Sequence, residues 1–181
     1  MTLTAKPVHL FCPGFREITQ LLKSAFPKKE RTPVLLLLPG ALRKSTHFTA
    51  FYVADKFAGL LYTIENDRYY FILYLAVNPE MRSGGIGGEI LDYAYAQAGD
   101  KIIALNVEPL DSAADNHEQR EQRIAFYARH GICETGYGLT MDGVPYSVLA
   151  SDTEAFDPKA YSDMLRGISL GTKSTSQERL F

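Results

Sequence analysis

An α/β fold built on one mixed, mostly antiparallel central sheet of about six to seven strands is what this sequence predicts, and three observations predict it. β-type runs at 47–53, 57–64 and 69–77 are joined by short polar turns at Asp55-Lys56 and Asn66-Asp67, which makes them antiparallel neighbours. A strand, a helix and a strand then follow over 69–107; a right-handed crossover of that kind makes 69–77 and 101–107 a parallel pair. The chain has 181 residues, 46% of them apolar and 22% charged, enough for one domain with a single buried core, read here as 1–181.

The elements follow in order. Pro7 and Pro13 bracket Val8, Leu10 and Phe11, so 7–13 reads as a short edge strand. Phe15, Ile18, Leu21, Leu22 and Phe26 recur at helical spacing, and Pro27 ends that helix. Residues 28–46 give no regular pattern; Pro33 and Pro39-Gly40 bracket a Leu-rich run that suits a short helix or a strand, and irregular structure is expected. Ile86, Ile90, Ala94 and Ala98 form one apolar stripe on a helix closed by Gly99. Ile102, Ala104 and Asn106 alternate with Ile103, Leu105 and Val107 along the next strand. A helix over 116–130 is polar at first and then carries Ile124, Tyr127 and Ala128 on one face. Residues 133–140 and 145–150 close as an antiparallel pair around Asp142-Gly143. Asp157 caps a short surface helix with Pro158 at its first position, and 171–179 is a polar tail expected to fray.

The chemistry concentrates in 71–98. An apolar strand stops at Asn78-Pro79, and Gly84, Gly85, Gly87 and Gly88 precede the helix. Strand, glycine turn and helix form an anion site, because the first helical amides lack internal partners and the dipole favours negative charge. Arg82 adds a fixed cation. A P-loop ends in Gly-Lys-Ser/Thr, and Gly88-Glu89 excludes it. A dinucleotide fingerprint needs Gly or Ala where Ile90 stands, although Glu108 supplies the acidic residue expected further on; an NAD-binding oxidoreductase stays open on that ground.

Arg82-Ser83-Gly84-Gly85-Ile86-Gly87 resembles the Arg/Gln-x-x-Gly-x-Gly/Ala signature of the GNAT superfamily of acyl-CoA N-acyltransferases, and Phe126-Tyr127-Ala128-Arg129-His130-Gly131-Ile132 resembles that family's Phe/Leu-Tyr-x-x-x-Gly-Phe block. The resemblance covers about 47–150 and is clear in 71–131. It implies a GNAT fold, with helices on both faces of the sheet and the parallel pair splayed at the cofactor site. It also implies acetyl-CoA as acyl donor and direct transfer to a primary amine in a ternary complex. In this resemblance the backbone of Leu75, Ala76 and Val77 pairs with pantetheine, and Arg82, Ser83, Gly84, Gly85, Ile86, Gly87 and Gly88 hold the pyrophosphate. Tyr127 is then the general acid for the departing thiolate, as its phenol stays protonated at neutral pH. Glu108 is the first candidate base and Glu65 the second. Many relatives carry Asn seven residues before the tyrosine; here Arg120 stands there and Asn116 lies one helical turn earlier. Arg120 or Arg123 could reach a phosphate, or 115–123 could be a charge-paired helix face. Phe26, His47, Tyr52, Tyr62 and Tyr137 are candidate walls for the acceptor, a small-molecule or peptide amine. A non-catalytic acyl-CoA-binding sensor of the same fold is the alternative, and a homodimer is expected from the resemblance alone.

The net charge of −2 argues against nucleic acid as main partner. His9, His47, His117 and His130 form no metal-binding pair, so no metal is expected. Cys12 and Cys133 read as free thiols of a reducing, cytoplasmic compartment. The run at 34–38 is far too short to span a membrane.

Overall fold

The computed structural model describes residues 2–28, 31–141, 143–168 and 175–179. They fall into two compact units, Met1–Glu65 with Ile72–Gly99, and Asn66–Phe71 with Asp100–Phe181.

The first unit holds β1 (Leu3–Pro7), α1 (Phe15–Ala25), α2 (Val34–Gly40), β2 (Thr46–Val53), β3 (Lys56–Glu65), most of β4 (Tyr69–Val77) and α3 (Ile86–Ala98). Its strands lie in the order β1-β2-β3-β4. The edge strand expected over 7–13 is instead β1, which pairs Leu3–Pro7 antiparallel to β2. One more bond follows its last residue, from the Val8 N–H to the Phe48 carbonyl at 2.8 Å, and the chain then turns, with the Cys12 N–H bonded to the His9 carbonyl at 3.0 Å. The irregular stretch expected over 28–46 contains α2, entered from Pro33 and closed by Pro39-Gly40.

Two tyrosine hydroxyls fasten that segment to the sheet. Tyr62 donates to the Leu37 carbonyl at 3.2 Å, and the Thr32 N–H donates to the Tyr74 hydroxyl at 2.9 Å. Around them Phe48, Tyr62, Tyr74 and Phe26 form a chain of ring contacts at 5.2, 6.3 and 4.8 Å. A Cβ on Gly59 would stand 2.7 Å from the Ala76 carbonyl and 3.0 Å from Ile90 Cδ1. Only glycine lets β4 and α3 approach β3 that closely.

The second unit holds β5 (Ile102–Val107), α4 (His117–Arg129), β6 (Cys133–Met141), β7 (Val144–Ala150), α5 (Pro158–Gly167) and β8 (Thr175–Arg179), with strands ordered β5-β7-β6-β8. Tyr69, Phe71, Phe156 and Tyr161 cluster, edge to face except for the tilted Phe156–Tyr161 pair, and Tyr161 donates to Asn106 Oδ1 at 2.9 Å. Asp157 caps α5 as the sequence predicts, accepting from the Lys159 and Ala160 amides. The tail differs from the expectation of fraying: β8 pairs antiparallel with β6, from Tyr137↔Arg179 to Met141↔Thr175. An open strand edge supplies the hydrogen bonds that a polar sequence does not advertise. The rest of the expected frayed tail, and Asp142 of the expected turn, lie outside the described residues.

Candidate active site

The glycine turn is built by backbone geometry. Asn78 stops β4: its N–H donates to the Ala58 carbonyl at 2.8 Å and its Nδ2 to the Phe57 carbonyl at 2.9 Å. Its Oδ1 accepts from the Glu80 amide and starts a single 3₁₀ turn, Pro79–Met81. Arg82 is extended, Ser83 is left-handed at φ 68°, and Gly85 is left-handed at φ 79° where it opens α3. The first i→i−4 bond of α3 runs from the Glu89 amide to the Gly85 carbonyl. The amides of Ile86, Gly87 and Gly88 therefore have no acceptor within the helix. Residues 82–85 are exposed. Gly85 is demanded by its φ; Gly84 is demanded by neither φ nor packing, since a Cβ there meets only the Met81 carbonyl, at an ordinary 3.6 Å.

Beside this turn, β4 alternates. Tyr74 and Ala76 are buried, while Leu73, Leu75 and Val77 stay half-buried. An all-apolar strand with one face partly open has room for a ligand along its final residues.

Tyr127 is the one buried residue of α4. Burial pushes its phenol up from 10.0 to about 12, against the opposing pull of the Arg123 guanidinium. The ring contacts Phe126, which in turn contacts His130. The other expected members of that face are less covered: Ile124 is half-buried and Ala128 is exposed.

Glu108 sits at the centre of an ion cluster. Its Oε1 accepts from Arg120 at 3.1 Å; its Oε2 accepts from Arg123 at 3.4 Å and from Asn116 Nδ2 at 3.3 Å. Arg120 also donates to Asn116 Oδ1 at 2.9 Å and to the Pro109 carbonyl at 2.7 Å. The side chains of Glu108 and Arg120 are each 15% exposed. Of the two readings open for 115–123, Arg120 thus adopts the paired one. Glu65, the second candidate base, lies at the other end of the sheet strand from the turn. Gly59 faces Ala76, and Glu65 is six residues further along β3, about 20 Å at the rise of a strand. There it stands 3.3 Å from His47 Nε2.

The aromatic residues expected to line one acceptor pocket do different things. Phe26 meets Tyr74, as does Tyr62. Tyr52 donates to the Pro13 carbonyl at 2.7 Å, and Tyr137 leans on Phe156. Sequence reasoning missed Gly59, whose signal was a lone glycine inside an apolar strand; Asn116, whose role the sequence left open, has a side chain that serves the cluster and makes no cap bond. Among the described residues no His, Cys, Asp and Glu grouping could hold a metal ion, and no helix is long and apolar enough to cross a membrane.

Residues 47–131 match the family model described as an acetyltransferase (GNAT) domain. Over those residues the chain is similar to a GNAT acetyltransferase domain. Its enzyme class is accordingly that of an N-acyltransferase. No curated protein matches the chain by sequence. A GNAT-family protein from Bacteroides thetaiotaomicron is similar in structure, at TM-score 0.68 and 20% identity, over 91% of this chain and 94% of its own. A GNAT acetyltransferase from Elizabethkingia anophelis, solved with acetyl-CoA bound, is similar at TM-score 0.57 and 14% identity, over 82% of this chain and 96% of its own. Arabidopsis thaliana Naa50, solved with the bisubstrate analogue CoA-Ac-MVNAL, gives TM-score 0.58 and 16% identity, over 83% and 98%. At these identities the likeness is one of fold, the mixed, mostly antiparallel sheet that the sequence predicts.

Proposed function

We propose that this GNAT protein is an N-acetyltransferase that moves the acetyl group of acetyl-CoA to a primary amine, by direct transfer in a ternary complex. The observation that carries the reading is the exposed turn over 82–85. Two left-handed residues lead into α3, whose first three amides have no acceptor within the helix, and Arg82 belongs to the same exposed turn. That arrangement suits a pyrophosphate. Backbone groups of Leu75, Ala76 and Val77, on the partly open stretch of β4, suit the pantetheine arm.

Positioning supplies much of the rate in such a transfer. The amine nitrogen bonds to the acetyl carbon and the carbon–sulfur bond breaks. Tyr127 gives its phenolic proton to the sulfur and regains one from solvent; burial keeps that proton in place at neutral pH. The amine proton leaves to water. Glu65 is remote from the turn, and both oxygens of the Glu108 carboxylate are already engaged by two guanidiniums and Asn116, which leaves neither turned to an amine. The acceptor is a small-molecule or peptide amine.

Calorimetric titration with acetyl-CoA, with CoA and NADH in parallel, tests this. Affinity for acetyl-CoA on the order of micromolar is expected. Binding of NADH in place of acetyl-CoA by the folded protein would sink the reading.

A further inference from the structure

We propose that Glu108 is a positioning residue: its carboxylate bolts the connection between β5 and α4 to the first turns of α4, and so fixes Tyr127. This rests on Tyr127 acting as the general acid.

The argument starts from what α4 lacks. It has 13 residues and buries one of them, Tyr127. Apolar packing along its face is therefore too thin to set its position. Its N-terminus has no side-chain cap, although Asn116 is a residue type that caps well. The Asn116 side chain is committed elsewhere: Oδ1 accepts from Arg120 and Nδ2 donates to Glu108.

What replaces packing and cap is the ion cluster. Glu108 follows directly on the last residue of β5. Arg120, from the first turn of α4, holds Glu108, the Pro109 carbonyl and Asn116 at once, so one guanidinium joins both ends of the 108–116 connection. Arg123, one turn further, closes on the other carboxylate oxygen. Arg123 and Tyr127 are four residues apart, on one side of the helix. The line from strand end to phenol thus runs through Glu108, Arg123 and one helical turn. The cluster is held well out of water at its centre, with Glu108 and Arg120 both 15% exposed, so solvent screens it weakly.

A base and a bolt respond oppositely when the partner is removed. If Glu108 took the amine proton, Arg120→Gln would release one carboxylate oxygen to reach the amine and leave turnover equal or higher. If Glu108 is the bolt, Glu108→Gln and Arg120→Gln both lower turnover, by roughly ten- to a hundredfold, with acetyl-CoA affinity within about twofold of the parent. Because the bolt acts through Tyr127, Glu108→Gln adds nothing in a Tyr127→Phe background.

The experiment is this cycle of single and double variants, read as CoA thiol release from acetyl-CoA. The acceptors are a polyamine, an aminoglycoside and an N-terminal peptide, with water as the fourth. Amide hydrogen exchange runs on each variant without ligand. Faster exchange over 108–127 with 86–98 unchanged in both Glu108→Gln and Arg120→Gln, together with the non-additive cycle, is the expected result. Unchanged exchange over 108–127, additive losses with Tyr127→Phe, or undiminished turnover by Arg120→Gln would each overturn the inference. Tyr127→Phe at parental turnover removes the acid and the inference with it. A parent that binds no acetyl-CoA removes the proposed function instead, and exchange alone then decides the bolt.

Discussion

Helices α3 and α4 have the same length, 13 residues, and are held by opposite means. α3 buries Ile86, Ile90, Leu91, Ala94 and Ala98, so hydrophobic contact along its whole face fixes it. α4 buries Tyr127 alone and is fastened at its start by one carboxylate and two guanidiniums. The difference suits what each end presents. α3 offers backbone amides, which need a rigid, well-packed helix and no particular side chain. α4 offers one side chain, whose placement needs a local anchor and little else.

The comparison can be broken from the α3 side first, where the largest effect is expected. Arg82→Ala with Gly85→Glu removes a cation, forces a side chain into φ 79° and places a carboxylate at the helix start. Acetyl-CoA affinity should fall more than a hundredfold by calorimetry, about 3 kcal/mol, with the melting temperature lowered by only a few degrees through the left-handed strain at residue 85. A loss smaller than tenfold would mean that the turn is not the anion site.

On the α4 side, Tyr127→Phe should cut turnover about a hundredfold, in the range general acids contribute, and leave acetyl-CoA affinity intact. Turnover at the parental level would mean that the buried phenol is packing only.

Gly59→Ala tests what lets α3 and β4 sit so close to β3. Its Cβ would stand 2.7 Å from a backbone carbonyl, which cannot rotate away. The expected cost is roughly 2 kcal/mol of stability by denaturant unfolding. An unchanged midpoint would show that β3 and β4 separate without penalty.

The smallest effect sharpens the contrast at high pH. The Tyr127 phenol ionises near 10.0 when unfolded and near about 12 when folded. The native state therefore binds more protons between those values. Its contribution, about 2–3 kcal/mol at two pKa units, is complete below the unfolded value and is lost as pH rises through the folded one. Tyr62, raised to about 12 by burial against α2, adds a slope of the same sign. Unfolding curves from pH 9 to 12 should thus be flatter for Tyr127→Phe than for the parent. Parallel curves would show that burial does not hold that proton.

Legibility followed the same division. The three central strands, α3 with its Gly99 cap, and the turn over 82–85 were readable because period, glycine and proline act locally. α2 and β8 were not. α2 is fastened by Tyr62, which bonds to its Leu37 carbonyl, while Tyr74 holds Thr32 just before it, and β8 is a strand because β6 offers an edge. The site shows the same contrast. Spacing alone brings Arg82 and the glycines into one turn, whereas Glu108, the first candidate base, showed none of its partners in the sequence.

The sequence by itself therefore determined the backbone-made half of this protein: the strand, the stop at Asn78-Pro79, the glycine turn and the apolar stripe of α3. Those depend on dihedral preference and periodicity, which belong to neighbouring residues. Only the tertiary structure decided the side-chain-made half. Glu108, Asn116, Arg120 and Arg123 span a turn whose path no local rule fixes, and a carboxylate's chemistry depends on which charges the fold brings within hydrogen-bonding distance.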